Sequence, residues 1–186
     1  MPKAAVAPLE RALWDVVTCL RKQKIPYCMI GALAVGAWGQ PRATYDLDFM
    51  VLLEGTHRLS LISALSDLGF VIDMHWAENN PIIRDWHLRF RKGRLPLDVL
   101  LPRDAHDESV IARRRKRKLG NRWIWIMSPE DVILHKLKVG RPRDFEDALS
   151  VMVRQGQRLD WSYLDLWAGR LGIMEELSYL MEKNGS

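Results

Sequence analysis

Residues 31–48 read GALAVGAWGQPRATYDLD, and the fold turns on how this stretch divides. Ala32 to Trp38 is small and apolar, and Gly39-Gln40-Pro41 closes it, which predicts a short buried helix with strong stop signals. Just upstream, Tyr27-Cys28-Met29-Ile30 is short, apolar and followed by Gly31, the pattern of a buried strand running into a turn. Downstream, Thr44 to Leu53 alternates. Tyr45, Leu47, Phe49 and Val51 share one face, and Asp46, Asp48 and Met50 the other, so a second strand is predicted.

Outward from this unit the periodicities remain clear. Leu9 to Lys22 places Leu9, Leu13, Val16, Val17 and Leu20 at helical spacing, and Pro26 follows its end. Thr56 to Leu68 reads as a helix stopped by Gly69. Phe70 to Met74, Trp86 to Arg91 and Leu95 to Leu101 read as strands, the last two a hairpin through Lys92-Gly93. Asp104 is the expected N-cap of a helix through Lys118, with Gly120 beyond its end, and Arg122 to Met127 an expected edge strand. From Ser128-Pro129-Glu130-Asp131 onward the pattern is helical: a cap, a Pro at the first helical position and first-turn acids. Gly140-Arg141-Pro142 separates that helix from one striped by Phe145, Ala148, Leu149 and Met152, and two more follow, about Trp161 to Leu171 and Ile173 to Lys183. The expected class is α+β: a mixed sheet with flanking helices over residues 1–127, then a C-terminal helical segment, 128–186, packed on that core.

Composition narrows the function. The chain has 186 residues, of which 48% are hydrophobic and 27% charged, enough apolar material for a core. Its net charge is +5, and the run Arg113-Arg114-Arg115-Lys116-Arg117-Lys118 accounts for it; without that run the chain is close to neutral. A uniformly basic nucleic-acid coat is therefore excluded. No stretch approaches a membrane span, Met1 to Glu10 shows no signal-peptide core, and two cysteines, Cys19 and Cys28, point to a reduced cytoplasm. There is no P-loop, no HExxH and no metal-ligand spacing among the five histidines.

The chemistry concentrates on the acidic pair. Asp46 and Asp48 lie two apart in a predicted strand, so their carboxylates share a side and repel. Divalent magnesium relieves such a pair, completing its shell with water and phosphate oxygens. Asp98, in the otherwise apolar Pro96-Leu97-Asp98-Val99-Leu100-Leu101, is the candidate third carboxylate. At Gly31 and Ala32, bare N–H groups and the positive helix end suit a triphosphate. Arg42 and Thr44 place a cation and a hydroxyl within reach of phosphates. A solvated strand edge for Asp46 and Asp48, and a turn cap for Asp98, are the alternatives. Lys136 borders the apolar stripe of its helix, either snorkelling or leaning toward phosphates, and Asp144 and Asp147 suit the first turn of the next helix on dipole grounds alone.

Taken together, Gly31-Ala32-Leu33-Ala34, Gly39, Arg42-x-Thr44-x-Asp46-Leu47-Asp48 and Asp98 resemble the polymerase-beta-like nucleotidyltransferase superfamily. Ser128-Pro129-Glu130-Asp131, Lys136-Leu137 and Arg141-x-x-Asp144-x-x-Asp147 resemble the minimal bacterial members, including the abortive-infection (AbiEii-like) toxin group. Gly31-Ala32 departs from the Gly-Ser of many members, which removes one hydroxyl contact to phosphate. The resemblance implies a catalytic set of Asp46, Asp48, Asp98, Lys136 and Asp144, with Asp46, Asp48 and Asp98 binding two magnesium ions. It implies phosphate contacts from Gly31, Ala32, Arg42, Thr44 and Lys136, and transfer of NMP from an NTP such as ATP to an acceptor hydroxyl. Arg113, Arg114, Arg115, Lys116, Arg117 and Lys118 are then the expected contact for RNA, tRNA in particular, or for an acidic antitoxin protein. A small-molecule acceptor of the aminoglycoside kind, a protein acceptor, and a catalytically silent RNA- or protein-binding module on the same fold are the other readings.

Overall fold

A computed structural model of the chain describes residues 3–54 and 57–184, with side chains from Pro8 onward; the expected helix start at Thr56 lies outside the described residues. The chain opens with α1 (Lys3–Lys22), and the apolar side chains of Leu13, Val16, Val17 and Leu20 on it are buried. The unit around Gly31 follows as β1 (Tyr27–Met29), α2 (Gly31–Trp38) and β2 (Leu47–Val51). Next come α3 (His57–Asp67), β3 (Val71–Ile72), α4 (Met74–Asn79), β4 (His87–Lys92), β5 (Leu95–Leu100), α5 (Ala105–Arg113), β6 (Arg115–Leu119) and β7 (Arg122–Ile126). The rest is helical: α6 (Pro129–Val139), α7 (Pro142–Gln155), α8 (Trp161–Leu171) and α9 (Met174–Asn184).

Among the described residues the strands form one seven-stranded mixed sheet in the order β3-β4-β5-β2-β1-β7-β6. β2 is central. It runs antiparallel to β1 and parallel to β5, and this register sets Asp48 directly beside Asp98. Leu47, Phe49 and Val51 on one face of β2 are all fully buried, and so is Met50 on the other, so the sheet is covered on both sides here. β4 and β5 form the expected hairpin with Gly93 and Arg94 as its two-residue loop, Gly93 supplying the positive φ of 62°.

Five expectations change. The helix from Asp104 stops at Arg113: Arg114 turns extended, and Arg115 to Leu119 become β6. Six adjacent cations in a helix repel along every i,i+4 pair, whereas a strand sends successive ones to opposite faces. Gly120, expected as a helix stop, forms with Asn121 the hairpin loop that joins β6 to β7. It follows that β7 is not an edge strand; β6 lies outside it. The strand expected over Phe70 to Met74 is only Val71–Ile72, because the Asp73 side chain caps α4 by accepting from the Trp76 amide. Finally, β2 begins at Leu47, so Thr44 to Asp46 are loop.

Side chains and backbone tie the late helices to the core. The buried Trp38 indole donates to the Met127 carbonyl at 2.7 Å, and Arg154 on α7 donates to the Gly39 carbonyl at 2.6 Å. Ser128 caps α6, donating to the buried Asp131 carboxylate at 2.6 Å while accepting from the Asp131 amide. Gly39 lets the end of α2 touch α7: a Cβ there would lie 2.8 Å from the Val151 amide nitrogen. Backbone cannot yield as a side-chain tip does. Gly39→Ala is therefore expected to cost about 1–3 kcal/mol by overpacking, read as a lowered midpoint in chemical denaturation; an unchanged midpoint would show that α7 is not pressed against this turn.

Candidate active site

Of the described glycines, Gly31 leaves the least room for a side chain. Its φ is +62°, and a Cβ built on it would lie 2.0 Å from Oδ2 of Asp48. Two independent constraints thus demand glycine, the backbone conformation and the approach of the carboxylate. The Ile30 amide donates to the Asp48 carbonyl at 2.9 Å, which locks turn to strand. Among the described residues no side chain caps the N-terminus of α2, which begins at Gly31 beside Asp48.

Around this turn lies a cavity of about 470 Å³. Gly31, Ala32, Arg42, Thr44, Asp46, Asp48, Asp98, Lys136 and Asp144 all line it. Every residue expected to bind nucleotide or metal is therefore brought to one place, from five separate stretches of chain. Asp46 is held by the loop rather than by strand pleat: one of its oxygens accepts from the Thr44 hydroxyl and from the Tyr45 amide. Lys136 does not snorkel. Its Nζ bridges Asp144 at 2.7 Å and Asp147 at 2.8 Å. Arg42 grips the same Asp147 with two hydrogen bonds of 3.0 and 3.1 Å. Burial works against the Asp147 charge, but these partners outweigh it and hold its carboxyl below the ordinary range. Asp144 also accepts from the Arg141 amide at 3.3 Å, so it caps α7 and pairs with Lys136 at once.

The acids of the sheet divide sharply. Asp98, 5% exposed, receives Arg89 Nε on Oδ1 at 2.7 Å and Nη2 on Oδ2 at 2.6 Å, while His87 Nε2 lies 2.9 Å from Oδ1. Burial raises its pKa, yet the bonds from Arg89 and His87 prevail and lower it overall. Asp48 has no such donors among the described residues. Burial first, then the charges of Asp98 and Asp46, push its carboxyl up to about 7. A carboxylate so placed fits a divalent cation: hard oxygen donors, a neighbouring acid in Asp46, and no hydrogen bond that must first break.

His87, Arg89, Trp86, His135, Arg141 and Arg143 also line the cavity, beyond the residues expected from the sequence. A signal for Arg89 exists in the hairpin: the two-residue loop pairs flanking positions symmetrically, which sets Arg89 opposite Asp98. His135 leaves no comparable signal; burial drives its pKa down to about 4 and keeps it neutral. The basic run does not act as one unit. Arg113 stacks on Tyr163 at 3.6 Å and lies 3.4 Å from Glu130, and Arg114 stacks on Trp125 at 4.8 Å, both half-buried. Only Arg115, Lys116, Arg117 and Lys118 stand on the exposed strand β6. A separate cluster, Asp104, His106 and Asp107, already holds a cation, the Lys138 ammonium at 2.6 Å from Asp104 and 3.4 Å from Asp107.

No family model and no curated protein matches the chain. Solved structures do. The chain is similar to the antibiotic-resistance factor ANT(2'')-Ia in solution, at 15% identity over 93% of this chain and 98% of the other, with a TM-score of 0.62. A crystal structure of ANT(2'')-Ia with adenylyl-2''-tobramycin is 16% identical over 86% and 94%, with a TM-score of 0.59. The lincosamide antibiotic adenylyltransferase LnuA, lincomycin-bound, is 17% identical over 76% and 95%, with a TM-score of 0.56. The α+β architecture, a mixed sheet with flanking helices, is thus a nucleotidyltransferase fold.

The raised Asp48 pKa has a thermodynamic sign. Its carboxyl keeps a proton in the folded state that it has lost in the unfolded state between the ordinary 3.8 and about 7, so its contribution to stability falls as pH rises through that window. In metal-free buffer at pH 8, Asp48→Asn is expected to stabilise the fold by about 4 kcal/mol, raising Tm by roughly 8–16 °C. The gain should vanish near pH 3, where both side chains are neutral. Equal melting of the two proteins at pH 8 would remove the buried-charge assignment.

Proposed function

We propose that this chain is a magnesium-dependent nucleotidyltransferase that moves NMP from an NTP to an acceptor hydroxyl and releases pyrophosphate. The observation that carries this reading is the contact of Gly31 with Asp48, which joins the uncapped amides of α2 to the acidic strand in one cavity. Asp46 and Asp48 would hold magnesium, which would supply positive charge against the phosphate oxygens. The Gly31 and Ala32 amides receive phosphate oxygens, and the Thr44 hydroxyl steadies Asp46. Arg42 and Lys136, aimed by Asp147 and Asp144, meet the charge that grows on the leaving pyrophosphate. The acceptor oxygen bonds to the α-phosphorus as the bond to the bridging oxygen breaks, and the hydroxyl proton passes to a carboxylate of the acidic group.

The acceptor we favour is RNA, tRNA in particular. The cavity lining carries the cations Arg42, Arg89, Lys136, Arg141 and Arg143 against four carboxylates, before any metal is added. A cationic small-molecule acceptor is poorly matched to that lining. A second groove, lined by Lys116, Arg117, Lys118 and Trp123, shares Ala32 and Arg42 with the cavity and gives a polyanion a continuous basic path. Action on tRNA as the toxin of a toxin–antitoxin pair, restrained by an acidic protein seated on β6, is consistent with the same strand. We place the reaction in the cytoplasm; among the described residues no helix is long and apolar enough to cross a membrane.

Incubating the purified chain with magnesium, each labelled NTP in turn and total tRNA should move label into tRNA with one nucleotide preferred. Asp48→Ala and Lys136→Ala should each lower transfer by about a hundredfold or more. Label on an aminoglycoside instead would establish the small-molecule reading, and RNA binding without transfer the silent module. Replacing Arg115, Lys116, Arg117 and Lys118 by Ser should weaken tRNA binding and flatten its salt dependence, by about 0.7–0.9 in log–log slope for each phosphate no longer neutralised. An unchanged slope would place the acceptor elsewhere.

A further inference from the structure

The transferase reading implies cations on Asp46, Asp48 and Asp98, and the geometry distinguishes these carboxylates. Arg89 lies directly opposite Asp98 in the β4–β5 ladder, so the pairing is set by strand register. Its guanidinium gives one hydrogen bond to each Asp98 oxygen, at 2.7 and 2.6 Å, the fork geometry that binds a carboxylate most firmly. His87, two residues earlier and on the same face, adds a contact of 2.9 Å to Oδ1. Trp76 braces both: its ring lies 5.3 Å from the Arg89 guanidinium and 4.5 Å from the His87 ring. Magnesium needs an oxygen lone pair at about 2.0–2.1 Å in near-octahedral array. On Asp98 it would have to expel a two-point ion pair that is largely withdrawn from water, and then sit beside the displaced guanidinium. Asp48, its neighbour in the β2–β5 ladder, carries no competing donor among the described residues.

We infer that the Arg89 guanidinium takes the place of a second divalent cation, so that this site holds one ion, on Asp46 and Asp48, with Asp98 and Arg89 as a built-in ion pair beside it. The inference rests on the transferase reading and departs from the two-ion expectation that the resemblance carries. Arg89 then supplies a fixed positive charge at the floor of the cavity without any need for metal loading. Asp98 serves to hold Arg89 in place rather than to chelate.

Counting bound Mn²⁺ by the loss of its free electron paramagnetic resonance signal tests this on the chain alone. The wild-type protein should bind one ion, and Asp46→Asn or Asp48→Asn should abolish that binding. Arg89→Met frees Oδ2 of Asp98 and leaves Oδ1 with His87 alone, and should raise the count to two, with the coupled spectrum of an ion pair. Adding Asp98→Asn to Arg89→Met should return the count to one, and Asp98→Asn alone should leave it at one. A wild-type count of two that falls to one in Asp98→Asn overturns the inference and leaves the transferase reading standing, even should Arg89→Met fail to fold. A folded Arg89→Met chain that still binds one ion also overturns it. A wild-type count of zero overturns both, and label transfer to an acceptor tests the transferase reading whichever count is found.

Discussion

The absence of a single methyl group organises this molecule. Asp48 Oδ2 occupies the place where a side chain on residue 31 would begin, so the turn, the strand and the helix that leaves the turn can come together only over glycine. That contact does two things at once. It sets the start of α2, which no side chain caps among the described residues, beside the carboxylate, and it buries the carboxylate enough to raise its pKa toward neutrality. A helix end seeking an anion and an acid seeking a cation are thereby set within one cavity. A phosphate chain and its metal ion satisfy both.

The remaining charges of the cavity are mostly settled within the protein. Asp147 is gripped by Arg42 and Lys136, Asp144 by Lys136 and the Arg141 amide, and Asp98 by Arg89 and His87. Arg42 reaches Asp147 from far away in the chain, Arg89 meets Asp98 across a strand ladder, and Lys136 spans from α6 to the start of α7. The result is a lining in which Arg42, Arg89 and Lys136 are already held by carboxylates, and in which Asp46 and Asp48 are the lining acids with no cationic partner among the described residues. Pre-set dipoles and charges of this kind do not reorganise as charge moves during reaction, which is the main source of electrostatic catalysis.

Much of this is legible in the order of residues, for reasons local to the chain. Small apolar residues between Gly31 and Pro41, alternation from Leu47 to Val51, and the Ser128-Pro129 start of α6 act over a few positions, and those elements stand where the patterns put them. The basic run defeats local reading because its helix cap at Asp104 is genuine and the local rules do not say where such a helix must stop. Repulsion along the helix and the Gly120-Asn121 loop decide that, by giving β6 a partner in β7. Asp46 shows the opposite case. Strand alternation puts it on the correct side of the sheet, yet it precedes the strand, and the Thr44 hydroxyl and Tyr45 amide hold it there.

The sequence by itself determined most of the elements, their caps and the acidic residues and glycine that meet in the cavity, because helix and strand periodicity and the need for glycine at a left-handed turn are near-neighbour properties. The tertiary structure alone decided which acid is free and which is already paired. Asp48 and Asp98 look alike in one dimension, each a carboxylate within an apolar strand. Only the sheet order, β4 beside β5 and β5 beside β2, gives Asp98 an arginine and leaves Asp48 facing the open turn. The hairpin sets β4 beside β5 locally, but the placing of β5 beside β2 is a long-range outcome of how two-sided sheets bury their faces, and no local pattern of residues encodes it.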